Sequence, residues 1–306
     1  MFVTKTAEII ANEVRWSADV IRSIFAGAFG KAIVNENLEV LFFRKLLREV
    51  EDGLNGISPP GLNITCRTKE IHQKPRVKVQ QPHPFECELA DLLVVVKYAI
   101  DASNIERKSL FYQVKLCNSG TRECDIDFNQ LELLCDWPGF EFGLKSTGGP
   151  RYYSIQPHTL EFGSYMLMLR GPAPEDFVLC QSHFCHAGSY GISPHALAVR
   201  KTGSRVVDVS DIPYAGNAAE VFFSHLAFEI GEHHDFNPAV NDLVQALYRH
   251  LGVDPDPPGE FDGYFRDCNE EEPGFYLIEI TVRPGKEFGY VSSSRPIGPK
   301  NEKKKQ

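Results

Sequence analysis

Apolar side chains recur with helical spacing through the first part of the chain. Between residues 6 and 29 they repeat at intervals of three and four positions, which predicts one long or two short amphipathic helices. The segment LEVLFFRKLLREVEDGLNG has a similar stripe and ends in glycines, so a further helix is predicted to end near Asp52. SPPG then breaks the helical pattern. The chain therefore begins with helices that each bury one face.

Strand patterns follow this break. LNITCRT and PRVKVQ alternate apolar and polar residues, and QPHPFE after them is typical of a turn. DLLVVV and SLFYQVKL are apolar runs joined by the polar segment DASNIERK. These patterns predict four strands, of which the last two form a hairpin.

Helices and strands alternate in the rest of the chain. DIDFNQLELLCDWP predicts a short helix with an aspartate N-cap and a stop at Pro138. FEFGL, RYYSI and GFYLIEITVR predict strands, and helices are predicted within NAAEVFFSHLAFEIGEHH and NPAVNDLVQALYRHLGV. Apart from RYYSI, the region from roughly 150 to 215 is rich in Gly, Pro, Ser and His and yields no assignment. The whole pattern predicts an α/β fold.

Composition places the chain among ordinary globular proteins. Its 306 residues are 42% hydrophobic and 24% charged, which excludes a wholly disordered or coiled-coil protein and suits one large domain or two smaller ones. No run of about 18 apolar residues predicts a membrane span. Glu8, Glu13 and Asp19 interrupt the apolar residues of the N-terminal segment, which argues against a secretory signal. We therefore expect a cytoplasmic protein without a membrane partner.

The cysteine pattern supports the same compartment. No CxxC pair occurs among the eight cysteines, at positions 66, 87, 117, 124, 135, 180, 185 and 268. In a chain of this length the pattern predicts reduced thiols.

Two histidine-containing segments raise the question of a metal site. Cys180, His183, Cys185 and His186 fall within seven residues, which is too short a stretch to wrap a tetrahedral zinc ion alone. Solvated or core-packed side chains are the favoured interpretation there, with zinc as the alternative. In GEHHDF the two adjacent histidines point about 100° apart if helical, so a solvated helix end is favoured over a metal site.

Charge is divided unevenly along the chain. The net charge is −9, yet residues 1 to 115 hold 16 basic against 14 acidic residues and residues 116 to 306 hold 16 against 27. The negative total lowers the expectation of nucleic-acid binding without excluding it, and the first part is the better candidate for binding anions. The tail PIGPKNEKKKQ is polar and predicted to be disordered.

Polar residues interrupt the apolar hairpin at one end. Side chains alternate along a strand, so Gln113 and Lys115 share a face. Antiparallel pairing brings the start of DLLVVV, Asp91, near the end of SLFYQVKL. Because a buried lysine needs a counter-charge, Asp91 is the expected partner. The alternatives are that Gln113 lies on an edge strand, that Lys115 extends to water and that Asp91 caps a turn.

These three side chains suit phosphodiester hydrolysis. Mg²⁺ prefers oxygen ligands and is often held by one or two carboxylates, neutral oxygens and waters. Asp91 would supply the carboxylate, Gln113 an amide oxygen, and Lys115 a charge for the attacking water or the phosphate.

Asp91, the hairpin and QVK together resemble the signature of the PD-(D/E)xK, or restriction-endonuclease-like, nuclease superfamily, in its QxK variant. The order of helices and strands between residues 6 and 135 is similar to that of the superfamily. The resemblance implies a core with a central mixed sheet flanked by helices at residues 1–145, followed by a C-terminal α+β extension at 146–295 and a disordered basic tail at 296–306. Two departures are Ala90, where the superfamily has proline, and Gln113, where it has an acid.

The resemblance also implies a function. It predicts a Mg²⁺-dependent or Mn²⁺-dependent endonuclease that cleaves DNA, with RNA not excluded, using Asp91, Gln113 and Lys115. Glu88 is expected as a further metal ligand, with Glu13 as an alternative, and Gln130 is expected near the site. A bacterial antiphage-defence effector controlled by a regulatory partner protein or by homo-oligomerisation fits this pattern. The alternative is a catalytically inactive nuclease-like scaffold or protein-binding subunit.

Overall fold

A computed structural model describes residues 5–33, 39–57, 59–71, 75–80, 83–99, 104–117, 122–143, 149–169, 177–182, 204–208, 216–253 and 274–285. The helices are α1 (Lys5–Trp16), α2 (Ala18–Ile33), α3 (Glu39–Asn55), α4 (Phe128–Asp136), α5 (Ala218–Leu226) and α6 (Pro238–Leu251). The strands are β1 (Leu62–Ile71), β2 (Arg76–Val79), β3 (Phe85–Glu88), β4 (Leu92–Ala99), β5 (Ile105–Leu116), β6 (Glu123–Asp127), β7 (Phe140–Phe142), β8 (Arg151–Tyr153), β9 (Gly163–Met168), β10 (Phe177–Gln181), β11 (Ser204–Asp208), β12 (Gly216–Asn217), β13 (Glu232–His233) and β14 (Phe275–Pro284). Short 3₁₀ turns occupy Leu160–Phe162 and His234–Phe236.

A mixed central sheet organises the fold. Its strands lie in the order β1-β14-β4-β5-β9-β10-β12, and β13 pairs with β5 beside that path. β14 is parallel to β4, and β5 is parallel to β9, whereas β1–β14 and β4–β5 are antiparallel. Helices cover both faces, so the predicted α/β class with a central mixed sheet flanked by helices is confirmed.

Burial follows the place of each strand in this sheet. β4 is buried at every position because strands pair on both of its sides and helices cover both of its faces. β1 lies at the edge, and exposed Asn63 and Thr65 alternate with buried Leu62, Ile64 and Cys66. The sequence patterns of these two strands, continuous in one and alternating in the other, therefore report their positions in the sheet.

Two apolar cores lie on opposite faces of the sheet. Helices α1, α2, α3 and α5 pack on one face, around residues such as Phe25, Phe43 and Phe222. Helices α4 and α6, with a four-stranded sheet in the order β3-β2-β7-β8, pack on the other face. None of the helices described is both long enough and apolar enough to cross a membrane.

Strand β14 has a position in the central sheet that the sequence did not predict. GFYLIEITVR was predicted as a strand, and it inserts between β1 and β4. The predicted boundary at residue 145 falls between β7 and β8, which pair with each other. Strands from the regions 1–145 and 146–295 therefore share one sheet, and the segment 296–306 lies outside the described residues.

Three local predictions were wrong. PRVKVQ forms a strand as predicted (β2, in the small sheet), but QPHPFE, which was predicted as a turn, includes the first residues of strand β3. The helix predicted to run to His234 ends at Leu226, and a turn and β13 follow. The N-terminal stripe included Trp16 and Val20, which are 86% and 53% exposed.

The prediction of reduced thiols throughout is also wrong, because Cys117 and Cys124 form a disulfide. Both half-cystines are fully buried, and their Cα atoms lie 4.1 Å apart. Cys66 and Cys87 are free thiols, and burial raises the pKa of the Cys87 thiol to about 12. The bond joins the end of β5 to β6, which leads into α4.

A buried ion network holds the centre of the sheet to α6. The Glu279 carboxylate on β14 lies 2.5 Å from the Arg67 guanidinium on β1 and 2.7 Å from the Lys97 ammonium on β4. It also accepts a hydrogen bond from the Tyr248 hydroxyl on α6. Burial raises the pKa of Tyr248, so this hydroxyl stays a neutral donor. One carboxylate thus joins three strands and a helix.

We expect Glu279→Gln to lower the free energy of unfolding by about 3 kcal/mol or more, because it leaves two largely buried cations without their carboxylate. Urea denaturation would measure the loss. The matched control is Glu220→Gln, which breaks the exposed Arg22–Glu220 ion pair and should cost less than about 1 kcal/mol. Equal losses in the two variants would contradict the stabilising role of the network.

Candidate functional site

Asp91 lies where three strands of the central sheet meet. Its backbone N–H donates to the Tyr112 carbonyl of β5 at 3.0 Å, and its own carbonyl accepts from the Tyr276 N–H of β14 at 2.9 Å. β4 pairs with β5 in a register that sets Leu92 opposite Tyr112. Asp91 is therefore fixed opposite Gln113, as the predicted hairpin requires.

The Asp91 carboxylate binds two N–H groups of β5. Oδ2 accepts a hydrogen bond from the Val114 backbone N–H at 2.8 Å and another from Gln113 Nε2. Asp91 and Gln113 are each 1% exposed. These bonds offset the loss of hydration that a buried carboxylate suffers. The structure thus brings together two of the three predicted catalytic residues.

Two amide oxygens on the neighbouring elements lack a hydrogen-bond donor. Among the described residues, the buried Oε1 atoms of Gln113 on β5 and Gln130 on α4 accept no hydrogen bond. An unsatisfied buried acceptor costs roughly 1–3 kcal/mol. These oxygens are therefore suited to bind a water, a cation or a substrate donor.

Helix α4 is held close to the sheet. Asp127 caps its N-terminus by accepting the Gln130 N–H at 3.0 Å, and Trp137 ends it in the left-handed conformation with φ 44°. Gly163 at the start of β9 permits this approach, because a Cβ there would lie 2.4 Å from the Leu134 carbonyl oxygen. The helix predicted from DIDFNQLELLCDWP is thus confirmed, with Gln130 6% exposed.

Lys115 lies on the same face of β5 as Gln113. β5 and β9 run parallel, with Gln113 aligned with Tyr165 and Lys115 with Leu167. Tyr165 and Leu167 belong to the core on the α4 side, so both polar residues of β5 face that side. Lys115 is half-buried, so it does not need the buried counter-charge that we expected Asp91 to supply.

The two further acids predicted from the sequence lie in different places. Glu88 ends β3, only three positions before Asp91, and is half-buried. Glu13 lies on α1, on the opposite face of the sheet. Arg15, two residues later, pairs with Glu229 at 2.9 Å. The residue before Glu229, Phe228, stacks on Tyr98 near the end of β4 that is far from Asp91. The structure therefore does not bring Glu13 to Asp91, whereas it leaves Glu88 nearby in the chain.

The donor set is compatible with a hard cation. Among the described residues no group of three or more His, Cys, Asp and Glu side chains is placed to hold a metal ion. Mg²⁺ keeps several waters and is often held by one or two carboxylates, so Asp91 with the Gln113 amide oxygen would suffice as protein ligands. The buried, unsatisfied Gln113 Oε1 beside a buried carboxylate fits such an ion.

A second buried polar cluster occupies the other end of β5. The Ser109 hydroxyl lies 2.5 Å from His234 Nε2, and Glu106 lies 3.2 Å from His233 Nε2. Lys108 Nζ donates to the Phe228 carbonyl at 2.7 Å. His233 and His234 are 7% and 3% exposed, so the prediction of a solvated helix end was wrong. Glu106 and Lys108 lie in DASNIERK, which was predicted as a loop, whereas β5 already begins at Ile105. The cluster was therefore not predicted from the sequence.

Burial shifts the titration of this cluster. It lowers the pKa of Lys108 to about 8 and, assisted by nearby positive charge, lowers the pKa values of His225 and His234 to about 3. The two histidines are therefore neutral in the folded protein at neutral pH.

The segment with four possible zinc ligands lies largely outside the described residues. His183, Cys185 and His186 lie outside the described residues, as does the side chain of Cys180. Zinc binding there stays the alternative prediction.

Comparison of the chain with family models, curated proteins and solved structures gave no match. The fold and the site define an α/β protein with a mixed central sheet and a buried carboxylate–amide pair at the end of its central hairpin.

We expect the free energy of unfolding to fall as the pH drops from 6.5 towards 3. Above pH 6.5 His225 and His234 are mostly neutral in the folded and the unfolded protein. Between pH 6.5 and about pH 3 the two histidines are protonated in the unfolded chain only. Each histidine contributes a slope of about 1.4 kcal/mol per pH unit in this window. Urea denaturation at pH 7 and pH 5 would measure it.

His225→Phe should reduce the loss between pH 7 and pH 5 by about 2 kcal/mol, since one proton uptake is removed. His83→Gln is the matched control, because His83 is exposed and the variant should keep the wild-type slope. A His225→Phe protein with the same pH dependence as the wild type would refute this assignment.

Proposed function

We propose that this protein is a cytoplasmic, metal-dependent endonuclease of the restriction-endonuclease-like type that hydrolyses DNA phosphodiester bonds. The observation that carries the proposal is the Asp91–Gln113 pair, which is buried at the junction of β4 and β5 with one amide oxygen unsatisfied. Lys115 follows on the same face of β5. A carboxylate in contact with an amide, with a lysine two residues farther along the same strand face, suits this chemistry.

The topology around the pair supports the fold part of the proposal. An antiparallel hairpin, β4–β5, leads through α4 to β9, which returns parallel to β5. A helix between two parallel neighbours of one sheet is the usual crossover connection. The hairpin and α4 lie in the order inferred from the sequence for residues 6–135, whereas β9 lies beyond that range. The insertion of β14 between β1 and β4 is a feature that the resemblance does not account for.

Each residue of the site would have a separate role. Asp91 is held rigidly by its backbone bonds to β5 and β14, so its carboxylate is a preorganised ligand. Gln113 can present Oε1 in place of Nε2 through rotation of its amide group, which costs little compared with moving a strand. Lys115 is half-exposed, and its ammonium group can orient a water or neutralise charge on the phosphate.

Mg²⁺ or Mn²⁺, when bound, would lower the pKa of a coordinated water and offset the charge that grows on the phosphate. Asp91 and Gln113 would hold the ion, with Glu88 as the third proposed ligand. Gln130 on α4 has a buried oxygen on the same side of the sheet and would position a water or the substrate.

A biological role as an antiphage-defence effector under the control of a partner or of self-association remains part of the proposal. The acidic balance of residues 116–306 favours a protein contact for that region, because nucleic acid would be repelled.

The second candidate is a noncatalytic scaffold with the same fold. Its supporting observation is Gln113 itself, since an amide where an acid is expected leaves one negative charge fewer for a cation. The Gln113 Nε2 bond also gives the Asp91 carboxylate a partner without a metal. The two candidates differ in whether the protein cleaves nucleic acid at all.

Plasmid DNA should be cleaved by the wild type in Mg²⁺ or Mn²⁺ and not in EDTA. Lys115→Ala should slow cleavage at least about 100-fold, because it removes the group that handles the water or the phosphate. Agarose gel electrophoresis of plasmid and of a structured RNA would measure the rates and separate the two substrates.

Lys78→Ala is the matched control, since Lys78 is an exposed lysine on β2 in the small sheet and should not affect cleavage. Cleavage that survives both EDTA and Lys115→Ala would overturn the proposed site. Absence of cleavage of DNA and RNA by the wild type, alone and with proteins encoded beside it, would favour the scaffold.

Metal binding should be detectable without activity. Mn²⁺ should raise the melting temperature of the wild type, because an ion that binds only the folded chain stabilises it. Asp91→Asn, which keeps an acceptor for Val114 N–H, should abolish the rise. Differential scanning fluorimetry with a Mn²⁺ series would measure it.

Glu88 is tested in the same titration against a neighbour on its own strand. Glu88→Gln should weaken the Mn²⁺-induced rise, whereas Glu86→Gln should leave it unchanged, because Glu86 is exposed two positions earlier on β3. An equal response of the two variants would remove Glu88 from the site.

A further inference from the structure

Helices α1 and α2 act as one long helix with a single buried face. The Ser17 N–H donates to the Glu13 carbonyl at 3.2 Å, and the Ile21 N–H donates to the Ser17 carbonyl at 3.1 Å, so helical bonding continues across the junction. The buried side chains keep one phase on both sides of Ser17: Ala7, Ile10, Ala11, Val14, Ile21, Phe25, Ala28, Phe29 and Ala32.

Three large apolar side chains lie on the opposite face of this long helix, which also carries the polar residues Asn12 and Glu13. Ile9, Trp16 and Val20 are 41%, 86% and 53% exposed, and they follow one another at intervals of seven and four residues. Residues at these spacings lie on one side of a helix. Trp16 and Val20 lie one turn apart, and adjacent exposed apolar side chains mark an interaction surface more often than single ones do. Tryptophan is also among the residues enriched where binding energy concentrates.

The same line continues into α2 with small residues. Ser23 and Gly27 are exposed, and a Cβ added at Gly27 or at Gly30 would meet no atom within 4 Å. The face therefore has large side chains in its first half and open space in its second half. We call Ile9, Trp16, Val20, Ser23 and Gly27 the outer stripe.

We propose that the outer stripe is a homodimer interface, in which the long helices of two copies pack antiparallel about a twofold axis. With the axis between positions 21 and 22, Trp16 lies over Gly27 of the partner subunit, and Val20 meets Ser23 of the partner subunit. The large half of each stripe thus fills the open half of the other. A twofold interface must be self-complementary in this way.

Charge along the helix agrees with the antiparallel arrangement. The first half carries Glu8, Glu13 and Asp19 beside Arg15, which pairs with Glu229 of its own chain, whereas Lys31, near the end of α2, is exposed and pairs with Glu49. The antiparallel axis sets Lys31 of one copy near Glu13 of the partner subunit. A parallel arrangement would instead bring the acidic halves together and set Trp16 against its own copy.

The border of the stripe is polar. The exposed ion pairs Arg15–Glu229 and Arg22–Glu220 tie the long helix to its own chain on one side of the stripe. An apolar centre with a polar rim is the usual anatomy of an interface. This inference does not depend on the proposed nuclease activity, because the stripe and the Asp91–Gln113 pair lie on opposite faces of the sheet.

Sedimentation velocity over a concentration series tests the proposal. The wild type should approach twice the chain mass of 34.4 kDa as its concentration rises. Trp16→Glu should remain a monomer, because it places a charge at the centre of the interface. Gly27→Gln should also remain a monomer, since it fills the space for Trp16 while the isolated chain accommodates it on an open helix surface.

Tyr152→Glu is the matched control, because Tyr152 is 64% exposed on β8, away from the outer stripe. This variant should associate as the wild type does.

Fluorescence supplies a second readout. Trp16 and Trp137 are the two tryptophans of the chain, and Trp137 is already buried, so emission should move to shorter wavelength on dimerisation and stay unmoved in Gly27→Gln. A wild-type monomer at every concentration, or a dimer that both stripe variants retain, would overturn the proposal.

Discussion

The hydrogen bond from the Val114 N–H to the Asp91 carboxylate is the constraint on which the candidate site depends. It takes the place of a backbone bond at the point where β4 begins, and it fixes a buried charge opposite Gln113. Without this bond the carboxylate would lose hydration with less compensation, and the strand end would leave an N–H group unpaired. The position of Lys115, two residues farther along β5, then follows from strand alternation.

The geometry of this region could be predicted from the sequence because it is local. The two strands of the hairpin are consecutive, so antiparallel pairing alone brings Asp91 to Gln113. Helix α4 was also predictable, since the Asp127 cap and Pro138 mark its ends within the sequence. The sequence pattern did not predict which hydrogen bonds these side chains form, such as the bond from Gln113 Nε2 to Asp91.

Non-local features could not be predicted. β14 reaches the centre of the sheet from a segment more than 150 residues after β4, and no periodicity reports such a partner. His233 and His234 are buried because they contact Glu106 and Ser109 on β5, which is distant in the sequence. Their local sequence alone favoured solvent exposure. The N-terminal helices carry two apolar faces, and spacing alone does not tell which one packs on the sheet.

The central claim is that the Asp91–Gln113 pair binds a divalent cation, and the most direct measurement is anomalous diffraction from crystals grown with Mn²⁺. The account predicts an ion about 2.1 Å from an Asp91 carboxylate oxygen and close to Gln113 Oε1, with the amide turned so that Nε2 no longer faces Asp91. An unchanged bond from Gln113 Nε2 to Asp91, with no ion beside it at saturating Mn²⁺, would contradict it.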